Sequence, residues 1–166
     1  MGDIPVSRGD QNVTIVRLAS GVIMLDHDIY KLRQTFYTAY TKMLGNQQLS
    51  PIEMQIAYVI KQYPEYHAFL SNKKGIEREF PDQDTNPFLI MALHLSVIEQ
   101  ISTNRPTGIA HIFKEATKDK PAAVVEKIMA KVLQFMMMDS LTKRAEPDEA
   151  EYLKQLRHAL EQNRDH

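Results

Sequence analysis

Cysteine and tryptophan are both absent from the 166 residues. Without a thiol there is no disulfide, no cysteine nucleophile and no thiolate metal ligand, and the composition suits a reducing compartment. An excess of either charge is lacking too. Twenty Lys and Arg stand against 21 Asp and Glu, a formal charge of −1, so no electrostatic footprint points to nucleic acid or to an anionic membrane. Long hydrophobic runs are also missing: the longest, Phe88 to Leu95, is interrupted by His94 and falls far short of the ~20 apolar residues a spanning helix needs. The chain opens with no basic segment leading into an unbroken apolar core, because Asp3, Asp10 and Arg17 intervene. No signal peptide is therefore expected, and a soluble, cytoplasmic protein follows by default. P-loop, Gly-rich dinucleotide turn and G-x-S-x-G elbow are all absent, which leaves nucleotide binding and triad hydrolysis without support.

What is present is helix. The first 25 residues stand apart, since Gly2, Pro5, Gly9 and Gly21 break any helical period and only Val13 to Val16 is β-prone. They read as a flexible or loosely attached extension, with Met24 as an alternative start, and the N-x-T sequon at Asn12 carries no meaning in a cytosolic chain. Residues 26–163 read as one helical domain. Asp26 or Asp28 can cap a helix with Ile29, Leu32, Phe36, Tyr40 and Met43 inward and Gly45 beyond its end. Ser50-Pro51-Ile52-Glu53 is a capping box with proline at the first helical position, leading a stripe of Ile52, Ile56, Val59, Ile60 and Tyr63. Pro64 stops that helix and opens a short one to Leu70; Ser71 to Asp84 is a polar interruption with a turn over Ile76 to Phe80. Asn86 and Pro87 cap and start the most apolar helix, about 87–103, which ends at Asn104, Arg105, Pro106 and Gly108. Further helices follow at Ile109 to Ala116, after Pro121 with Val125, Ile128, Met129, Val132, Phe135 and Met136 inward, and after Pro147 with Tyr152, Leu153, Leu156 and Leu160. The expected fold is all-α: a compact bundle of six or seven helices around the buried helix 87–103.

His94 sits in the greasy face of that helix, with Val97, Ile98 and Ile101 around it and Ser96, Glu99, Gln100 and Thr103 pointing away. A buried imidazole left unpaired costs ~1–3 kcal/mol, so a partner is required. The plain reading is a core histidine bonded to a tyrosine or a backbone carbonyl. The sharper one is a metal or catalytic site joining His94 to His67, with Tyr63 and Glu65 as further partners; two imidazoles and a carboxylate suit zinc or iron. Tyr63 and His67 share a face if Pro64 only kinks the helix. Neither histidine has another histidine or acid three or four residues away. Glu53 is explained by its capping box, and Glu99 faces solvent or a neighbouring arginine. Arg105 and His111 have the R-x5-H spacing that resembles the motif of the ribonucleases named for higher eukaryote and prokaryote nucleotide binding; a ribonuclease using that pair is a remote alternative. Met136-Met137-Met138, with Met129, could serve a partner-binding surface, though core filling explains at least half of them.

Pro51 to Glu53, Pro64 to His67, Asn86 to Leu89 with Leu93 to Leu95, Glu99-Gln100, Pro106 with Gly108-Ile109, and Tyr152-Leu153 together resemble the bacterial family of domain of unknown function 1841. The likeness runs from about residue 28 to 160. It implies a bacterial cytosolic helical protein and no particular reaction. It also implies histidine at the places of Tyr63 and Ile90, which would make two i, i+4 histidine pairs; this chain keeps His67 and His94 and departs from the pattern at the other two. The first functional expectation is a module without catalytic activity that binds a protein partner or itself, with Tyr63, His67 and His94 as a polar cluster in or near the core. A metal-dependent protein centred on His67 and His94 is the alternative.

Overall fold

The computed structural model describes residues 14–18, 21–25, 27–80, 82 and 85–162, with side chains from Lys31 onward. The sequon residues Asn12 and Val13, the candidate cap Asp26 and the alternative cap's side chain lie outside that description; Asp28 itself falls inside the first helix. Among the described residues, eight α-helices make the fold all-α: α1 (His27–Leu44), α2 (Pro51–Lys61), α3 (His67–Leu70), α4 (Lys73–Glu77), α5 (Pro87–Thr103), α6 (Ile109–Ala116), α7 (Ala122–Lys143) and α8 (Glu149–Gln162). The helix beyond the expected seven is α4. It forms inside the polar interruption because the Asn72 side chain accepts the Gly75 N–H at 3.0 Å and so caps its start. Before the helices, β1 (Thr14–Leu18) and β2 (Gly21–Leu25) pair antiparallel, with Thr14 opposite Leu25 and Leu18 opposite Gly21. The β-prone stretch is thus longer than Val13 to Val16, and it finds its partner in the residues that follow.

The residues group into two compact units, one of Asp26–Leu95 and one of Ser96–His166 with Met1–Leu25. In the first, α1 and α2 form a hairpin and α4 lies against α1. Phe36, Ile56, Val59, Ile60, Leu70, Ile76, Phe88 and Leu89 are fully or almost fully buried there. Phe36 meets Phe88 edge-on at 6.5 Å, and Phe80 bridges Phe69 (5.5 Å) and Phe88 (6.1 Å). Arg33 ties the polar interruption to α1: its Nη1 donates to the carbonyls of Ile76 (3.0 Å) and Arg78 (2.7 Å), and its guanidinium lies over the Phe88 ring. Gly75 has to be glycine, because a Cβ there would stand 2.2 Å from the Phe69 carbonyl oxygen. In the second unit, α7 packs on α8, and Ile109, Met129, Leu133, Met137 and Leu156 are sealed from solvent.

Three expected orientations are corrected. Phe135 is 62% exposed, because α7 buries Glu126, Ala130, Leu133, Met137 and Ser140 beside Val125, Met129 and Met136. At about 100° per residue Phe135 falls roughly 150° from the middle of that arc. Reading apolar residues alone rotated the face, since the buried side includes a carboxylate and a hydroxyl. Ile52 is 54% exposed, as it occupies the first turn of α2. Gln100, expected to point to water, is completely buried and accepts a 2.6 Å hydrogen bond from the Tyr152 hydroxyl.

Candidate functional site

The polar cluster of the first unit is assembled by a break in the chain. Pro64 offers no N–H and disfavours αR in the residue before it, so α2 ends at Lys61 and Tyr63 leaves the helical region, with φ −130° and ψ 65°. Pro64 to Tyr66 then make a single 3-10 turn and α3 begins at His67. The proline therefore ends the helix instead of kinking it, and Tyr63 and His67 do not share a helical face. The change of direction sends Tyr63 inward. Its hydroxyl meets Nδ1 of His94 at 2.9 Å, with the two rings edge to face and their centroids 5.6 Å apart. His94 is completely buried and Tyr63 nearly so. One of the two groups donates and the other accepts, so the imidazole gains the tyrosine partner that its burial requires.

His67 is engaged elsewhere. Its Nε2 lies 2.8 Å from the carbonyl of Ile60, and because a carbonyl only accepts, the proton sits on Nε2. The ring thereby satisfies one of the last carbonyls of α2, and Tyr40 packs against it at 5.1 Å. Tyr66 stacks on Tyr63 at 5.3 Å with the planes nearly parallel. Glu65 is exposed; its charge adds to burial, the larger cause, in pushing the Tyr66 phenol up from its usual value. Among the described residues, no group of three or more His, Asp or Glu side chains is placed to hold a metal ion.

The stripe reading of α2 passed over Tyr58. This ring stands edge-on to His94 at 6.3 Å while remaining 37% exposed. It connects the buried imidazole to the surface, and Met54, one turn earlier, is 55% exposed. The signal was in the sequence as an i, i+4 apolar pair on the outer side of the helix. Glu53 behaves as its capping box demands: the Ser50 N–H reaches Oε1 at 2.9 Å, Ser50 Oγ accepts the Glu53 N–H at 3.3 Å, and Lys42 of α1 joins from 2.9 Å.

In the second unit, Arg105 and His111 are both exposed, and no described contact joins them. Asn104 takes a left-handed conformation at φ 50° to end α5, and its side-chain oxygen accepts the N–H groups of Gly108 and Ala110. Asn104 thus links the end of α5 to the start of α6. His111, on α6, borders a cleft with Arg157 of α8.

Compared with known families, residues 28–158 match the one described as domain of unknown function 1841. The chain belongs to this family. The match runs from α1 into α8 and leaves out β1 and β2, so the family segment carries the Tyr63–His94 pair, whereas Leu160 and Glu161 of the α6–α8 cleft lie beyond its end. No curated protein and no solved structure matches the chain.

Proposed function

We propose that this family member is a protein-binding or self-associating helical module without catalytic activity, and that its contact surface is the outer side of the α1–α2 hairpin. The observation that carries this reading is a pair of large side chains left open one turn apart on α2, Met54 (55%) and Tyr58 (37%), with Leu44 (64%) open at the end of α1; Ile52 (54%) lies about 160° round the helix from Met54 and stands apart from the pair. Scattered exposed apolar residues are ordinary, but an i, i+4 pair with its tyrosine held from behind resembles the anchors of an interface. Tyr58 is the most telling of them, since its inner edge is held by His94, which Tyr63 holds in turn. A tyrosine fixed from behind gives up little conformational entropy on binding.

Sedimentation velocity over a range of concentrations tests self-association, and affinity capture with wild-type and Met54→Glu/Tyr58→Ala baits tests a different partner. The expected result is an assembly or a reproducible partner that the double variant loses while keeping its helical circular dichroism. A monomer at all concentrations, with no partner that distinguishes the two baits, would sink the proposal. Elemental analysis of the same preparation bears on the alternative: stoichiometric zinc or iron would favour a metal-dependent role for His67 and His94, with Tyr63 and Glu65 as supporting groups.

A further inference from the structure

In the first unit, two guanidiniums converge on one aromatic ring. Arg33 of α1 lies 5.4 Å from the centre of Phe80 and 4.8 Å from that of Phe88, and Arg78, at the end of α4, lies 5.8 Å from Phe80 and 5.4 Å from Phe69. The ring faces attract each cation, but they carry no net charge to balance two. Among the described residues no acid does so either: neither arginine forms an ion pair, and Glu77 and Glu79, which flank Arg78, are exposed and bonded to neither. Burial draws the half-buried Arg33 guanidinium below its ordinary value, with no carboxylate among the described residues to oppose the shift. The hydrogen bonds of Arg33 are one-sided. Nη1 is taken up by the carbonyls of Ile76 and Arg78. The opposite edge, Nε with Nη2, presents parallel N–H bonds, the fork that grips an oxyanion, and Nε is buried there with no hydrogen-bond partner. A buried donor in that state costs stability, and a bound ion or water is the ordinary reason to find one.

We propose that Arg33 and Arg78 bind a phosphoryl group beside Phe80, with the Nε–Nη2 edge of Arg33 gripping its oxygens and Arg78 closing on it from the solvent side. A phosphate monoester carries close to two negative charges at neutral pH, which matches two guanidiniums where a carboxylate would match one. The site lies where α4 packs on α1 and goes beyond the Met54–Tyr58 surface, since it needs no protein partner. The test is NMR of the arginine side chains on the full chain at neutral pH, titrated with inorganic phosphate or acetate, with sodium chloride holding the ionic strength constant. Phosphate is expected to shift the Arg33 Nε–H signal to saturation and acetate to bind far more weakly. Removing Arg33 would strip two carbonyls of their donor, so the variant is Arg78→Gln, a change on an exposed side chain. It should weaken phosphate about tenfold or more, the usual loss when a charge-assisted contact is removed, and leave the helical circular dichroism unchanged. The proposal falls if phosphate leaves the Arg33 signal unmoved, which would mean that a water answers Nε, if acetate binds as tightly, or if Arg78→Gln binds phosphate as well as the wild type.

Discussion

At the scale of single residues, buried polar groups in this protein are answered from far away in sequence. His94 is met by Tyr63, 31 residues earlier, and Gln100 by Tyr152, 52 residues later. That His94 is buried and must have a partner follows from the run of apolar residues around it, and a tyrosine was among the expected partners. Gln100 lies about 120° round the helix from His94, on the side of Ser96, Glu99 and Thr103, and nothing within its own helix announces Tyr152. The pairing is incomplete, as Gln100 Nε2 is buried without a hydrogen-bond partner among the described residues. Tyr63→Phe keeps the ring and its stack on Tyr66 but removes the hydroxyl from His94 Nδ1. It should destabilise the fold by about 1–3 kcal/mol, the cost of leaving a buried polar atom short of a partner. Urea unfolding of the two proteins measures it, and equal midpoints with equal slopes would show that the bond contributes nothing.

At the scale of elements, ends were easier to read than faces. The capping box at Ser50, the Asn86 cap, whose side chain accepts the Phe88 N–H at 3.0 Å, and the stop at Asn104 all appear as expected, because each is built from residues within a few positions of one another. The inward face of α7 depends on what packs against it, and its long run of apolar residues lets more than one arc pass for the core side. Two substitutions separate the arcs. Leu133→Ala, at a completely buried position, should cost about 2–5 kcal/mol, whereas Phe135→Ser should stay within about 0.5 kcal/mol of wild type. Thermal and urea unfolding decide between them; a large loss at Phe135 would mean that the helix is rotated toward the face its apolar pattern first suggests.

At the scale of the whole molecule, two kinds of titrating group bound stability from either side. Glu53 is held below the usual carboxylate value, first by the Ser50 backbone N–H and then by Lys42. Its contribution is present above the ordinary carboxylate range and is lost as pH falls through the lowered value. Tyr152 is shifted the opposite way: burial pushes its phenol well above the ordinary value of 10, only partly offset by the bond to Gln100, and Tyr66 is raised as well. A raised phenol stabilises the fold fully below pH 10 and loses that contribution as pH climbs toward the folded-state value. Melting temperature should therefore be flat through neutrality and fall on both flanks. Glu53→Gln should blunt the acid flank, and Tyr152→Phe, while lowering stability throughout, should flatten part of the alkaline one. Unchanged flanks in both variants would contradict the assignment.

Chain order alone determined the helical class, most helix ends and the burial of His94, since caps, prolines and periodicity act within a few residues of where they are written. Tertiary structure decided what could not be written locally: that Tyr63 turns in to His94 while His67 turns to the Ile60 carbonyl, that α7 buries the side bearing Glu126 and Ser140, and that His111 shares a cleft with Arg157 and not a site with Arg105. Each of those outcomes depends on which distant side chain fills the space opposite, because a close-packed interior leaves room for one arrangement only.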